Sequence, residues 1–483
     1  MKRNHYQILG VDFFSSRETI KEAYKEAVLR FHPDKNTDSD AAEEFLAIQQ
    51  AYETLGDSIK KVNYDAALSK ENAAVPIEIK IIYGQNPVNP SPEAQILYAL
   101  LEISCITQQD PAADSSLAVA MVVDTSTSMA GKRLDSVKRS ILSLVKQLKP
   151  DDLFCVVAFN DQAQLVLPLT KIRDFDIESD RISRMSTAGG TEMYHGMHLG
   201  IDLLDEKKAA HCRKQLVIFT DGNTYGDEKE CLLLARQAAS KKVVITGFGF
   251  GSEWNDIFLD KLTSVTGGET KFIASSQDLD QDVYEKFNEF NQLFSQSAKL
   301  ALTSRKGVRI NSAFRLRPNP APLEIEDVSM LGNVRFNDKL SVLLEFGLPP
   351  NLNPCSEFRL GQGFITVESA YWESEIRKFV TFEIAFAAEL TKNPVPVEID
   401  NALAIITMYR IQEKARQDVI NGKPEQAIFK LTHLINHLTE LGHHSLVKQV
   451  LIERDSIVRS GNFSRGGDKT IKYGTRALLL PEN

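Results

Sequence analysis

Residues 117–129 read Leu-Ala-Val-Ala-Met-Val-Val-Asp-Thr-Ser-Thr-Ser-Met. An apolar run without alternation, too short for a helix of the core, is a strand buried on both faces, as in the middle of a parallel sheet. Asp124, Ser126 and Ser128 leave its carboxyl end, where open α/β sheets collect their sites. Oxygen-only ligands on a strand-to-loop turn suit a hard cation such as magnesium, which takes octahedral oxygens and keeps some of its waters. The same residues also suit a Ser/Thr-rich cap ahead of a helix from Lys132, and the stretch alone does not separate the two readings.

Two later stretches bear on that choice. Residues 186–191, Ser-Thr-Ala-Gly-Gly-Thr, form a flexible loop ending in the hydroxyl of Thr191. Residues 215–222, Gln-Leu-Val-Ile-Phe-Thr-Asp-Gly, form a second buried strand ending in Asp221 and a turn glycine. With these three elements the chain resembles the von Willebrand factor A family, whose metal-ion-dependent adhesion site combines D-x-S-x-S with a distant Thr and a distant Asp. The resemblance implies that Asp124, Ser126, Ser128, Thr191 and Asp221 hold Mg2+ or Mn2+, the carboxylates mostly through water. Two carboxylates balance one divalent ion, which leaves it open to a further anionic oxygen, such as an Asp or Glu of a protein client. Glu192 follows Thr191 directly, where it would crowd or tune that opening; an acid at a helix start is also favourable in itself.

Near the beginning, residues 17–31 and 41–55 each carry an apolar stripe at helical spacing and are predicted to pack as an antiparallel pair. Between them His32-Pro33-Asp34 sits on a loop, because a proline ends the first helix at the residue before it. This module resembles the J domain of DnaJ co-chaperones. The resemblance implies that His32, Pro33 and Asp34 dock on a DnaK-type heat-shock protein 70 ATPase and stimulate it, with Lys21, Lys25 and Arg30 of the helix at 17–31 adding positive charge. The chain departs from the family there: Glu18, Glu22 and Glu26 alternate with those cations and weaken the basic field.

Composition narrows the partners. A net charge of −9 disfavours nucleic acid or an anionic membrane surface, which need a basic footprint. No apolar run approaches a membrane span, and no apolar segment follows Met1 as in a signal peptide. The five cysteines are scattered and read as reduced thiols, so a cytoplasmic location is expected.

The expected organisation is a J domain (1–66), a linker (67–76), the first strands of a β-sandwich (77–112), a von Willebrand factor A domain (113–297), the rest of the sandwich (298–392), a helical region (393–460) and a loosely ordered tail (461–483). The fold class is therefore multidomain: helical, then doubly wound Rossmann-like α/β inserted in an all-β sandwich, then a C-terminal helical hairpin around Gly422. The insertion follows from the strands at 77–83 and 96–103, which lack partners of like character until after Lys299. The final helix of the α/β domain is predicted to run from 279 to 297, with Val283, Phe287, Phe290 and Phe294 inward. The basic helix face at Lys132, Arg133, Lys138, Arg139 and Lys146 is read as solvated, and His433 and His437 as part of a polar face rather than a zinc site.

The function expected is a non-enzymatic adaptor: a metal-dependent domain captures a protein client and the J domain brings the chaperone ATPase to it. Two alternatives stand beside it. One is a metal-dependent hydrolase using Glu192 or His195; the other is a scaffold whose J domain is vestigial.

Overall fold

The computed structural model describes residues 5–11, 17–31, 41–57, 60–61, 64, 77–89, 91–106, 116–171, 175–222, 224, 226–273, 279–352, 355–369, 375–386 and 394–478. The 67–76 linker and His32-Pro33-Asp34 lie outside them. The chain divides into two units: residues 1–75 with 362–365 and 376–381, and the remainder.

In the first unit, α1 (His5–Leu9), α2 (Arg17–Phe31) and α3 (Ala41–Leu55) surround Tyr6, Leu9, Ile20, Ile48, Ala51 and Leu55. Tyr24 of α2 stacks on Tyr52 of α3 with centroids 3.9 Å apart, so the two stripes meet as the periodicity predicts.

In the second unit, the apolar strand is β3 (Leu117–Asp124), and each of its residues is buried. It lies between β4 (Leu153–Phe159) and β6 (Arg213–Thr220), parallel to both. With β5 (Ala163–Thr170), β7 (Val243–Phe250) and β8 (Thr270–Ile273) the sheet order is β5-β4-β3-β6-β7-β8, only β5 running antiparallel. Helices α4 (Lys132–Val145), α5 (Phe175–Ser183), α6 (Met193–Leu204), α7 (Glu228–Ser240), α8 (Asp256–Val265) and α9 (Leu279–Asn291) complete this domain. Leu117, Val119, Met121 and Val123 pack with α4 and α9, whereas Ala118, Ala120 and Val122 pack with α6, α7 and α8. Two covered faces explain why no polar residue interrupts the run.

The strands before this domain find their partners after it. β1 (Ile77–Tyr83) pairs antiparallel with β2 (Gln95–Cys105). β2 then pairs with β13 (Lys339–Leu348), from Lys339 opposite Ser104 to Leu348 opposite Gln95. With β10 (Arg309–Arg317) and β11 (Ala321–Leu323), one sheet runs β1-β2-β13-β10-β11. The other runs β12-β9-β14-β15, with β9 (Leu293–Ser304), β12 (Ser329–Arg335), β14 (Cys355–Ser369) and β15 (Ile376–Phe386). Phe346 of the first sheet meets Phe382 of the second at 5.5 Å between ring centroids. The α/β domain is thus an insertion in a β-sandwich. Arg315 of β10 joins the two: fully buried, it donates to the carbonyls of Gly268 (2.9 Å), Leu331 (3.2 Å) and Asn319 (2.6 Å).

Two expectations require correction. The helix predicted to reach residue 297 stops at Asn291, and Phe294 lies on β9. Its spacing from Phe290 fits a helix, but β9 is captured by β12, with Ser295 opposite Val334, and Phe294 packs edge-on against Phe336 at 5.3 Å. Nor is residue 461 onward a loosely ordered tail. Beyond α10 (Val397–Ile420), α11 (Pro424–Glu440) and α12 (His444–Ser460), residues Gly467–Ala477 form α13. The expected hairpin, α10 and α11 around Gly422 at φ 69°, is present but extends into this larger bundle. The Lys and Arg of this stretch are paired with acids of α8, the buried Asp256 and the largely buried Asp260. Lys472 contacts Asp256 and Asp260 of α8, Arg476 reaches Asp260 (2.8 Å), and Arg416 of α10 grips Asp256 through both oxygens (2.6 and 2.7 Å). Burial opposes ionisation of Asp256, yet Arg416 and Lys472 hold its carboxyl below the usual range.

Truncation after Ser460 removes Lys472 and Arg476 from Asp260 and leaves Asp256 with Arg416. Breaking buried pairs from one side costs about 3–5 kcal/mol. A truncated chain should therefore show a clearly lower melting temperature for its α/β transition by calorimetry; an unchanged melt would refute the role given to α13.

Candidate functional site

β3 and β6 deliver their terminal carboxylates side by side. Asp124 and Asp221 are 0% and 1% exposed. Asp124 Oδ1 accepts the Ser126 backbone N–H (2.8 Å), and its Oδ2 accepts the Thr220 hydroxyl (2.7 Å). Ser126 Oγ lies 3.0 Å from Ser128 Oγ, which donates to Asp221 Oδ1 (2.7 Å). These contacts link four of the five predicted ligands. Thr191, the fifth, lies near Gly222, where a Cβ would stand 3.4 Å from Thr191 Oγ1 and 4.0 Å from Ser128 Oγ.

The alternation in D-x-S-x-S divides two tasks. Ser126 and Ser128 face the carboxylates, while the intervening residues bind the neighbouring loops. Thr125 donates from its N–H (2.7 Å) and hydroxyl (2.9 Å) to the Phe159 carbonyl and accepts from Ala188 N–H (2.8 Å). Thr127 donates from its N–H (3.2 Å) and hydroxyl (3.0 Å) to the Gly189 carbonyl. The loop before Thr191 is further held by Asp161, whose carboxylate accepts the Gly190 N–H (2.9 Å). Helix α6 follows, drawn onto the sheet by Gly196 and Gly200; a Cβ at either would stand 2.8 Å from Phe159 or 2.9 Å from Val122. Thr224 and Asp227 accept the first N–H groups of α6, at Met193 (3.2 Å) and Tyr194 (2.7 Å).

The donor set fits a hard divalent cation: two carboxylates and three hydroxyls, with no nitrogen or sulfur among them. Among the described residues no group of three or more His, Cys, Asp or Glu is placed to hold a metal, so hydroxyls are required for this cluster to count as a site. Glu192 pairs with His195 (3.2 Å), both about half exposed. His433 and His437 are exposed on α11, His433 packed edge-on against Phe429. Lys21, Lys25 and Arg30 are exposed on α2, as are Glu22 and Glu26.

Sequence reasoning missed Thr220 and Arg133. Thr220 carried a faint signal, as a hydroxyl beside Asp221 at a strand end. Arg133 carried a stronger one: it lies in the first turn of α4, where the helix dipole disfavours a cation, so it needs an anionic partner. That partner is Asp221.

The comparisons agree with this architecture. Residues 4–65 match the DnaJ domain, 118–286 the von Willebrand factor type A domain, and 397–481 the Sll0103-like, C-terminal alpha-helical domain. The chain carries a DnaJ domain and a von Willebrand factor type A domain. The uncharacterized protein sll0103 of Synechocystis sp. is 30% identical over 189 residues, 39% of this chain and 43% of that one. The chaperone protein DnaJ of Geobacillus stearothermophilus is 47% identical over 64 residues, 13% of this chain and 17% of that one. The chain thus spans under half the length of the curated relatives it matches. Among solved structures, a von Willebrand factor type A protein from Catenulispora acidiphila aligns over 82% of this chain and 96% of its own, with a TM-score of 0.67 at 16% identity. That likeness concerns the fold. Among the described residues no helix is long and apolar enough to cross a membrane.

Burial pushes the Asp124 carboxyl up to about 6, and the charge of Asp221 adds to the rise, against the hydrogen bonds from Ser126 and Thr220. A group whose folded pKa lies above its unfolded value loses stability as pH rises between the two. In chelator, Asp124→Asn should therefore stabilise the domain at pH 7, by about 3 kcal/mol, since Thr220 can turn its hydroxyl to accept from the amide. Near pH 4, where folded wild type already holds the proton, the gain should largely vanish. Thermal melts at the two pH values check this; an equal effect at both would contradict it.

Proposed function

We propose that this protein is a cytoplasmic J-domain adaptor that brings a DnaK-type heat-shock protein 70 to a client held by its von Willebrand factor A domain. The observation that supports the reading is the union, in one chain, of a DnaJ domain with an α/β domain in which hydrogen bonds link Asp124, Ser126, Ser128 and Asp221 beyond the ends of β3 and β6. His32, Pro33 and Asp34 dock on the chaperone ATPase, and Lys21, Lys25 and Arg30 add a modest positive field. Asp124, Ser126, Ser128, Thr191 and Asp221 hold Mg2+ or Mn2+, which when bound accepts one more carboxylate oxygen, from an Asp or Glu of the client. The chain's own part is to keep the hydroxyls directed at that position and to shield the carboxylates from solvent. The domain limits proposed above from the sequence go with this reading, except that the sandwich resumes at Leu293 rather than at 298 and the last helical domain extends to α13.

The two halves of the function are separable. His32→Gln or Asp34→Asn should abolish stimulation of a DnaK-type ATPase from the same cell while client capture persists. Wild type giving no stimulation of any such ATPase would end the co-chaperone reading. Conversely, Ser126→Ala with Ser128→Ala should keep stimulation and lose the magnesium-dependent rise in melting temperature. The same double variant should lose the proteins that a magnesium-dependent pull-down with mass spectrometry recovers on wild type. Capture that survives chelator would move recognition away from the metal.

A further inference from the structure

We propose that Arg133 is a tethered competitor for the divalent cation, setting the free metal concentration at which the site fills. The inference rests on the metal-site reading above. Asp221 has both oxygens engaged: Oδ1 accepts the Ser128 hydroxyl (2.7 Å) and Oδ2 the Arg133 guanidinium. The same guanidinium nitrogen donates to the Ser128 backbone carbonyl (3.2 Å). Arg133 therefore binds two of the five ligand residues and supplies a positive charge where the cation would need negative ones.

Its setting suits a competitor better than a fixed strut. The Asp221 side chain is fully buried, whereas that of Arg133 is 35% exposed, on a long stem in the first turn of α4. A helix N-terminus does not retain a cation, so the carboxylate is what draws it inward. Space is kept for it at Gly251, where a side chain would begin 3.1 Å from Arg133 Nη2. A divalent ion and a guanidinium sharing one carboxylate repel each other, and the mobile partner is the side chain that already reaches solvent. Metal binding then includes the work of displacing Arg133. The client-capturing state is accordingly reached at higher metal than the five ligands alone would require.

The test is Mn2+ titration of the full chain, following the free-ion signal by electron paramagnetic resonance. Arg133→Met, which keeps the aliphatic stem, and Arg133→Gln, a second neutral replacement, should bind Mn2+ about tenfold more tightly than wild type. Arg133→Lys, which keeps the charge, should remain close to wild type. In chelator the two neutral variants should melt lower, since Asp221 loses its partner, and should gain more on adding Mn2+. Adding Ser126→Ala and Ser128→Ala should erase the difference, tying it to this site. Neutral variants that bind Mn2+ no better than wild type would overturn the competitor role while leaving the metal site standing. If wild type and every variant leave Mn2+ free at millimolar concentration, the metal-site reading itself falls, and this inference with it.

Discussion

The ladder between β2 and β13 is the contact on which the rest of the architecture depends. It joins residues 95–104 to 339–348 across the entire α/β domain. Without it β2 would be an unpaired edge beyond β1, and a long apolar edge invites aggregation. With it both ends of the insertion leave from one sandwich, and the inserted domain is tethered at two points. The second point is tight: only residue 292 separates α9 from β9. A displacement of α9 would therefore be felt directly in the sandwich.

Charge buried for structural reasons surrounds this insertion. Arg315 is held by carbonyl oxygens rather than by a carboxylate, and burial pushes its pKa down to about 10. On α8, Asp256 and Asp260 receive Arg416, Lys472 and Arg476 from the C-terminal bundle. Such networks are worth little as attraction but are costly to break.

At the site the balance is reversed. Asp124 and Asp221 are neighbouring carboxylates out of water, and Asp124 is raised to about 6 as a result. Ser126, Thr220 and Arg133 offset part of that cost. Carboxylates kept buried at a stability penalty are a reserve that a divalent cation can draw on, and the oxygen-only donor set suits a hard one.

Much was legible in the amino-acid sequence because it is encoded locally. The apolar run of β3 and the helical stripes of α2 and α3 are fixed by residue type and spacing, and each falls on the element expected. The sandwich insertion was legible from a negative observation, strands without nearby partners. Other features depend on what lies across space. Phe294 fits a helix by spacing but joins β9, because pairing with β12 outweighs local periodicity. The stretch that forms α13 read as a loosely ordered tail because its partners, Asp256 and Asp260, lie more than two hundred residues earlier. Arg133 read as part of a solvated helix face, and only the meeting of α4 with the end of β6 placed it on Asp221. Sequence determined which groups are present and on which elements; tertiary structure decided which charges face each other, because pairing energy depends on distance in space rather than along the chain.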